Sequence, residues 1–201
     1  MSFKNINGGN LKFLANLGLC LFIVLYVLAA LAYPGGSDFH PRNQGFSIIE
    51  NYWCELLGRN AKNGERNVAQ PLGILALITL NSTLTLLWYR ISYAIKTKAI
   101  LQQLILFCGI GSVLFSSFIF TNWHDLLIGI SVLMGLIAIL LTLFLFKKQH
   151  IHQLGLLCVI LIALNVTIYF SNVGIYYLPL LQKLTFVCVL LWFIILNFTI
   201  D

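Results

Sequence analysis

Apolar residues follow one another along this chain in six long runs separated by polar connections. A helix needs roughly 20 apolar residues to cross the hydrocarbon core of a bilayer. The six runs predict spanning helices at about 12–33, 71–92, 100–120, 126–146, 154–172 and 179–199. Because the last four connections are short, we expect consecutive helices there to pack as antiparallel neighbours. The pattern predicts an all-α membrane protein, a six-transmembrane-helix bundle that forms a single domain over residues 1–201.

The connection between the first two runs, residues 34–70, is long and polar. It contains eight of the chain's charged residues: Asp38, Arg42, Glu50, Glu55, Arg59, Lys62, Glu65 and Arg66. Ionisable groups close to a bilayer are costly to keep, so they mark functional sites by default. We therefore expect the function to lie in this segment.

Residues 47–58 of this segment predict an outer amphipathic helix between the first two spans. Ser47 followed by Glu50 has the spacing of a capping box, and Gly58 is a stop signal. Polar residues share one helical face, namely Ser47, Glu50, Asn51, Cys54 and Glu55. Apolar residues form the other: Phe46, Ile49, Tyr52, Trp53 and Leu56. Either the helix lies flat in the interface, or its polar face turns inward and lines a pocket over the outer mouth of the bundle.

A second polar spot, TNWHDLLIG, precedes the fourth span and contains His124 and Asp125. These two residues either cap the fourth helix or meet Glu50 or Glu55 across the mouth of the bundle. A carboxylate–imidazole pair can do acid–base chemistry or bind a metal. The candidate pocket residues are Glu50, Asn51, Cys54, Glu55, His124 and Asp125, with His40 as a further candidate. The pattern assigns no catalytic residue, metal or cofactor among them.

The composition supports a membrane protein and sets its orientation. Sixty per cent of the residues are apolar and only 9% are charged, whereas soluble domains contain about 25% charged residues. The net charge of +6 does not indicate nucleic-acid binding, because cations cluster at the ends of spans. One side of the predicted bundle carries seven of them: Lys4, Lys12, Arg90, Lys96, Lys98, Lys147 and Lys148. Both termini are therefore expected to face the cytoplasm, with segment 34–70 outside.

Several single features leave alternatives open. Ala30-Leu31-Ala32 has the form of a signal-peptidase site, but the apolar run before it exceeds the usual ~7–15 residues, so we expect it to remain as a helix. Asn81 and Asn165 form either interhelical hydrogen bonds or the wall of a polar path. Lys183 is expected to extend to the membrane surface rather than into the pocket. The five cysteines are scattered and predict neither a disulfide framework nor a zinc knuckle.

Three short motifs carry a resemblance to a known family: Glu50-Asn51, Cys54-Glu55-Leu56-Leu57-Gly58 and His124-Asp125. Their order resembles that in an uncharacterised bacterial six-helix membrane family with a domain of unknown function. That family is similar to the alkaline ceramidase and adiponectin-receptor superfamily of membrane hydrolases. The resemblance implies a multi-pass protein of the bacterial inner (plasma) membrane.

The chain departs from that superfamily at the residues that would matter for catalysis. The superfamily uses a Ser, an Asp and three His around zinc, with two of those His on its last helix. The last predicted span here contains no His, and Cys54 stands where the six-helix family tends to have Ser. The resemblance therefore does not predict hydrolase activity for this chain.

Three functions remain open from the sequence. The favoured one is a non-enzymatic lipid or small-molecule binding or accessory protein with membrane lipids as partners. The second is a membrane-embedded hydrolase acting on a lipid headgroup or amide, with His124 as base or metal ligand and Glu50 or Glu55 as acid or ligand. The third is a small transporter, supported by Asn81 and its polar neighbours. No nucleic-acid partner is expected, and no protein partner is indicated.

Overall fold

The computed structural model describes residues 8–146 and 148–200. Within them the chain forms α1 (Gly8–Ala32), α2 (Gln70–Ala94), α3 (Ala99–Ser116), α4 (His124–Leu145), α5 (Gln149–Ser171) and α6 (Leu178–Thr199). All six helices are long and apolar enough to cross a membrane, which confirms the prediction of six such helices. Lys4 and Lys147, which contribute to the predicted orientation, lie outside the described residues.

The helices pack mainly against their neighbours in sequence, and α6 also contacts α1 and α2. The bundle has two ends. The terminal face holds the start of α1, the end of α6 and the α2–α3 and α4–α5 connections. The cap face holds residues 33–69, called the cap here, and the α3–α4 and α5–α6 connections. At the terminal face, Asn197 of α6 donates to Asn16 Oδ1 of α1 at 3.1 Å and accepts from Arg90 of α2.

Polar side chains inside the spans join neighbouring helices. Asn81 of α2 donates to Ser117 Oγ at 2.9 Å and accepts from Ser116 Oγ at 3.2 Å, both near the end of α3. Asn165 of α5 donates to Thr185 Oγ1 of α6 at 2.6 Å. These contacts confirm the interpretation of Asn81 and Asn165 as interhelical hydrogen-bonding residues.

Helices α4 and α5 join the core only near the terminal face. The buried residues of α4 lie in its second half: Ala138, Ile139, Thr142 and Leu143. Those of α5 lie in its first half: Ile151, Gly155 and Cys158. Since no residue is buried among 124–137 or 159–171, both of which the structure describes, these two helices are loosely covered near the cap face. In a membrane, lipid would surround those halves.

The cap is held together by hydrogen bonds of its backbone and of Asn67. Isolated antiparallel bridges pair Gly35 with Gln44 and Asn60 with Arg66. The Asn67 side-chain amide donates to the carbonyls of Glu55 and Gly58 at 3.1 and 2.9 Å. Asn67 Oδ1 accepts from the backbone N–H of Ala69 at 3.0 Å. Asn67 therefore ties the middle of the cap to the start of α2.

The amphipathic helix predicted over residues 47–58 does not form. Glu50 N–H donates to Ser47 Oγ at 3.3 Å, which is one half of the predicted capping box. The other half is made by Asn51, whose Oδ1 accepts from Ser47 N–H at 2.7 Å. Tyr52 is then extended, and a short 3₁₀ helix, Trp53–Leu57, follows and ends at Gly58. The segment is thus one turn and a 3₁₀ helix rather than a continuous α-helix.

Packing explains why the predicted apolar face is divided. The Trp53 ring lies 4.8 Å from that of Phe22 in α1 and 4.4 Å from that of Phe186 in α6, measured between ring centroids. Leu56 is fully buried, whereas Ile49 is exposed. An ideal helix would place these residues on one face. Breaking the helix lets Trp53 and Leu56 enter the bundle while Ile49 stays outside, so the segment does not lie flat in the interface.

Candidate functional site

Glu50 is buried in the cap and accepts three side-chain hydrogen bonds. The donors are Ser37 Oγ at 2.9 Å, His40 Nδ1 at 2.9 Å and Tyr176 OH at 3.0 Å. The bonds from His40 and Ser37, in that order, hold the pKa of Glu50 below its usual value. Because Tyr176 lies in the α5–α6 connection, Glu50 fastens the cap to that connection. It does not pair with His124, which was one of the predicted arrangements.

Asn51 is fully buried and organises the backbone around it. Its side-chain amide donates to the Gly36 carbonyl at 2.6 Å and to Glu55 Oε2. Gly36 has a φ of +81°, and a Cβ there would lie 2.4 Å from the backbone N of Asn63, so this close approach requires glycine. Asn51 is thus enclosed between cap segments and supports the neighbouring Glu55.

Lys183 of α6 does not extend to the membrane surface, and that prediction is wrong. Its ammonium donates to the carbonyl of Asn51 and, at 3.0 Å, to the carbonyl of Pro179. It also lies 5.5 Å from the centroid of the Phe46 ring. Backbone carbonyls and an aromatic face replace water around the cation. Lys183 therefore anchors the underside of the cap to α6.

A cavity of about 320 Å³ lies between the cap and the α3–α4 connection. Its polar walls come from Tyr33, Cys54, Glu55, Asn60, Lys62, Thr121 and His124. Its apolar walls come from Leu57, Ile119 and Phe120, with Gly58 completing the lining. The cavity thus combines polar and apolar groups, which come from the cap and from the region between α3 and the start of α4, as ligand sites usually do.

Two residues that line this cavity each have a buried side-chain atom without a hydrogen-bond partner. The atoms are Glu55 Oε1 and His124 Nε2. A third such atom among the described residues, Gln182 Oε1, belongs to a residue that does not line the cavity. An unsatisfied buried polar group costs about 1–3 kcal/mol, so native structures contain few of them. Two of the three such atoms in the described part of the chain therefore belong to residues that line one cavity.

Burial controls the ionisation of both acidic groups of the 3₁₀ helix. Removal from water raises the pKa of Glu55, and the hydrogen bond from Asn51 offsets part of that effect. Burial also raises the pKa of the Cys54 thiol to about 11. At neutral pH Cys54 is therefore a thiol, which is a poor nucleophile and a poor metal ligand.

The nearest cation of the cap, Lys62, is already paired. Its Nζ lies 2.5 Å from Asp38 Oδ1 in a partly exposed ion pair. The hydrogen bond and charge of Asp38 offset the cost of burying Lys62 and leave the pKa of that lysine raised. The cavity therefore has no free lysine from the cap, although the Lys62 side chain forms part of its wall.

The structure brings three of the predicted site residues to one cavity and places three elsewhere. Cys54, Glu55 and His124 line the cavity. Glu50 faces Ser37 and Tyr176, Asn51 lies enclosed behind Glu55, and the Asp125 side chain is largely exposed. His40, the further candidate, pairs with Glu50 instead of His124.

Sequence reasoning missed the wall residues Tyr33 and Lys62 and the Glu50 partners Ser37 and Tyr176. Ser37 and Lys62 lie within the segment singled out from the sequence, but no periodic spacing relates them to Glu50 or Glu55. Tyr33 and Tyr176 stand at the ends of predicted spans, a position that is typical of interfacial aromatic residues. Their roles depend on the path of the cap, which the sequence pattern did not reveal.

The zinc implied by the hydrolase superfamily does not fit these residues. A catalytic zinc takes about three protein ligands and keeps an open position. Among the described residues, no group of three His, Cys, Asp or Glu side chains is placed to hold a metal ion. In the cavity, Glu55 and His124 are the two remaining candidates once Cys54 is a neutral thiol.

The fold and cavity define a helical protein with six helices that can span a membrane and a mixed polar and apolar cavity at one end. Comparisons with protein-family models, curated proteins and solved structures found no match to this chain. The functional conclusion therefore rests on the residues of the cavity.

Proposed function

We propose that this multi-pass protein of the bacterial inner membrane binds the polar headgroup of a membrane amphiphile in the cap cavity without transforming it. The observation that carries the proposal is that two residues lining one cavity, Glu55 and His124, each have a buried atom without a partner. We also propose that the cap faces outward and both termini face the cytoplasm, because the predicted cation-rich ends of the spans lie opposite the cap.

The apolar walls support an amphiphile rather than a fully polar ligand. Ile119 and Phe120 line the cavity where α3 gives way to α4. The first half of α4, which begins at His124, has no buried residue. An acyl chain alongside this half of α4 would remain in the bilayer while its headgroup entered the cavity. Such a ligand would bury apolar and polar surface together.

Catalysis is less well supported by the same contacts. A nucleophile needs an adjacent base or a lowered pKa. Cys54 has the opposite shift, and the Ser37 hydroxyl donates to Glu50 rather than to an imidazole. Glu55 and His124 share the cavity but no hydrogen bond between them is present. A transporter is also less well supported, because Asn81 is satisfied by Ser116 and Ser117 and does not line the cavity.

Native mass spectrometry of protein extracted from lipid nanodiscs tests this proposal with a variant that fills the cavity. Thr121→Trp places an indole in the wall, and Thr167→Trp makes the same change at an exposed site on α5. We expect the wild type and Thr167→Trp to retain a bound lipid that Thr121→Trp loses. Equal retention by both variants, with equal melting temperatures, would contradict the proposal.

A further inference from the structure

We infer that the headgroup bound in this cavity carries a primary ammonium, which donates hydrogen bonds to Glu55 Oε1 and His124 Nε2. This inference rests on the proposed function, since it concerns the same cavity, and it adds the chemical class of the ligand. The neighbouring hydrogen bonds leave each of these two atoms free only to accept.

The role of Glu55 is fixed by Asn51. Asn51 Oδ1 accepts from the backbone N–H of Ser47, which can only donate, so the orientation of the Asn51 amide is determined. The NH₂ group of Asn51 therefore points to Glu55 and donates to its Oε2. Glu55 Oε2 is then occupied as an acceptor, and Oε1 is the atom left for a ligand.

The role of His124 is fixed by Asp125. His124 Nδ1 lies 3.0 Å from Asp125 Oδ1. An exposed carboxylate accepts but does not donate, so the ring proton is on Nδ1. In the neutral imidazole, Nε2 then holds a lone pair and is an acceptor. With Glu55 ionised, as a nearby cation favours, Oε1 and His124 Nε2 are two acceptors.

Charge in and around the cavity favours a cation over an anion. Glu55 and Asp125 are carboxylates, and Lys62 is neutralised by Asp38. Lys183 is turned to the carbonyls of Asn51 and Pro179. A primary ammonium supplies three N–H donors and a positive charge. Phosphate or a carboxylate would meet the negative charge of ionised Glu55 and the lone pair of His124 Nε2, without a donor from either.

Binding of an ammonium requires movement of the Glu55 and His124 side chains. Both unpartnered atoms are covered in this structure, so a ligand reaches them only if the Glu55 and His124 side chains rotate toward the cavity. The His124 side chain is partly exposed, and rotation of such a side chain is fast. The Glu55 side chain is buried and must turn within the cap.

Headgroup discrimination in nanodiscs tests the inference. The probes are phosphatidylethanolamine, with a primary ammonium, phosphatidylcholine, whose quaternary ammonium has no N–H, and phosphatidylglycerol, with no ammonium. We expect retention of phosphatidylethanolamine to exceed that of the other two by about tenfold, since each good charged hydrogen bond is worth about 1.5–3 kcal/mol. Equal retention of all three, or preference for phosphatidylglycerol, would overturn the inference.

Matched glutamine variants connect the preference to the proposed atoms. Glu55→Gln keeps an oxygen for Asn51 but removes the charge, so we expect the preference for phosphatidylethanolamine to disappear. Glu65→Gln removes an exposed carboxylate of the cap and should keep that preference. If Glu55→Gln discriminates as the wild type does, the ammonium is not held by Glu55 and the inference fails.

Two further arms identify the source of the ammonium and exclude a metal. Free ethanolamine and a lipid headgroup share the primary ammonium. Displacement of bound lipid by soluble ethanolamine would assign the site to free amines, and lack of displacement would assign it to lipid headgroups. Stoichiometric zinc that is lost in Glu55→Gln and His124→Ala would overturn the inference. Lipid retained without preference and released by Thr121→Trp would leave the proposed function intact while this inference fails.

Discussion

Glu50 and Glu55 are close in sequence, and the cap gives them opposite environments. Glu50 receives hydrogen bonds from Ser37, His40 and Tyr176, which favour its ionised form. Glu55 receives one from Asn51 and is otherwise buried, which favours its neutral form. The Glu50 carboxylate therefore holds the cap in place, whereas Glu55, which lines the cavity, has one oxygen without a hydrogen-bond partner. Their contributions to stability should change with pH in opposite directions.

Acidification should weaken the attachment of the cap through Glu50. Its pKa is lower in the folded protein than the usual 4.5, so the stabilising contribution is present above pH 4.5 and is lost as pH falls through the folded-state value. We expect wild-type melting temperature in detergent to fall below pH 4.5 more steeply than that of Glu50→Gln. Parallel curves for the two proteins would show that the three hydrogen bonds do not favour the carboxylate.

The contribution of Glu55 should have the opposite sign. Its pKa is raised from 4.5 by burial, so the favourable contribution of the neutral form is present below pH 4.5 and is lost as pH rises through the folded-state value. Melting of ligand-free wild type and Glu55→Gln from pH 4 to 8 should show the wild type losing stability relative to the variant. A wild type that gains on the variant as pH rises would contradict burial as the dominant influence on Glu55.

At the scale of elements, helices were predictable and the cap was not. The six spans could be predicted from long apolar runs. Inside a bilayer no water is available to the backbone, so a spanning segment must form its own backbone hydrogen bonds as a helix. Residues 47–58 have a helical pattern, yet Trp53 is placed between α1 and α6 by contacts with Phe22 and Phe186. Such contacts between distant parts of the chain override a local pattern, and no spacing within the segment reveals them. The sequence grouped the candidate pocket residues, and the structure places Cys54, Glu55 and His124 at the cavity and Glu50 beside Tyr176.

The seating of the 3₁₀ helix on α2 gives a prediction at this scale. A Cβ on Gly73 would lie 2.7 Å from the Leu56 carbonyl oxygen, so Gly73→Ala must displace Trp53–Leu57. We expect faster amide hydrogen exchange in residues 53–58 and loss of bound lipid. Gly129→Ala is the matched control for the exchange measurement, since a Cβ there meets nothing within 4 Å and alanine favours the helix by about 0.5–1 kcal/mol. Unchanged exchange in Gly73→Ala would show that the cap does not depend on this contact.

On the scale of the whole molecule, the two ends of the bundle are built differently. Near the terminal face, α4 and α5 join the core, and Trp192 Nε1 of α6 donates to the Ile151 carbonyl of α5 at 3.2 Å. Near the cap face the same two helices have no buried residue over 124–137 and 159–171. The terminal end therefore provides a packed base, and the cap end combines a cavity with helix surfaces left to lipid. This division fits the proposed binding of a membrane amphiphile at the cap end.

The polar residues inside the spans should affect stability alone. Asn81 joins α2 to α3, and such bonds in membranes contribute about 0.6 kcal/mol on average. Asn81→Ala should therefore lower the melting temperature slightly and leave lipid retention unchanged, as should Asn165→Ala. Loss of lipid binding in Asn81→Ala with little change in melting would mean that the ligand path enters the centre of the bundle.

The most direct test of the central claim is a cryo-electron microscopy map of the protein in nanodiscs that contain phosphatidylethanolamine. Lipids resolved along the exposed surface of α5 would serve as the internal reference for ordered lipid density. We predict headgroup density between Glu55 and His124, with an acyl chain continuing past Phe120 along the first half of α4. A map with ordered surface lipids but only water in the cap cavity would contradict amphiphile binding.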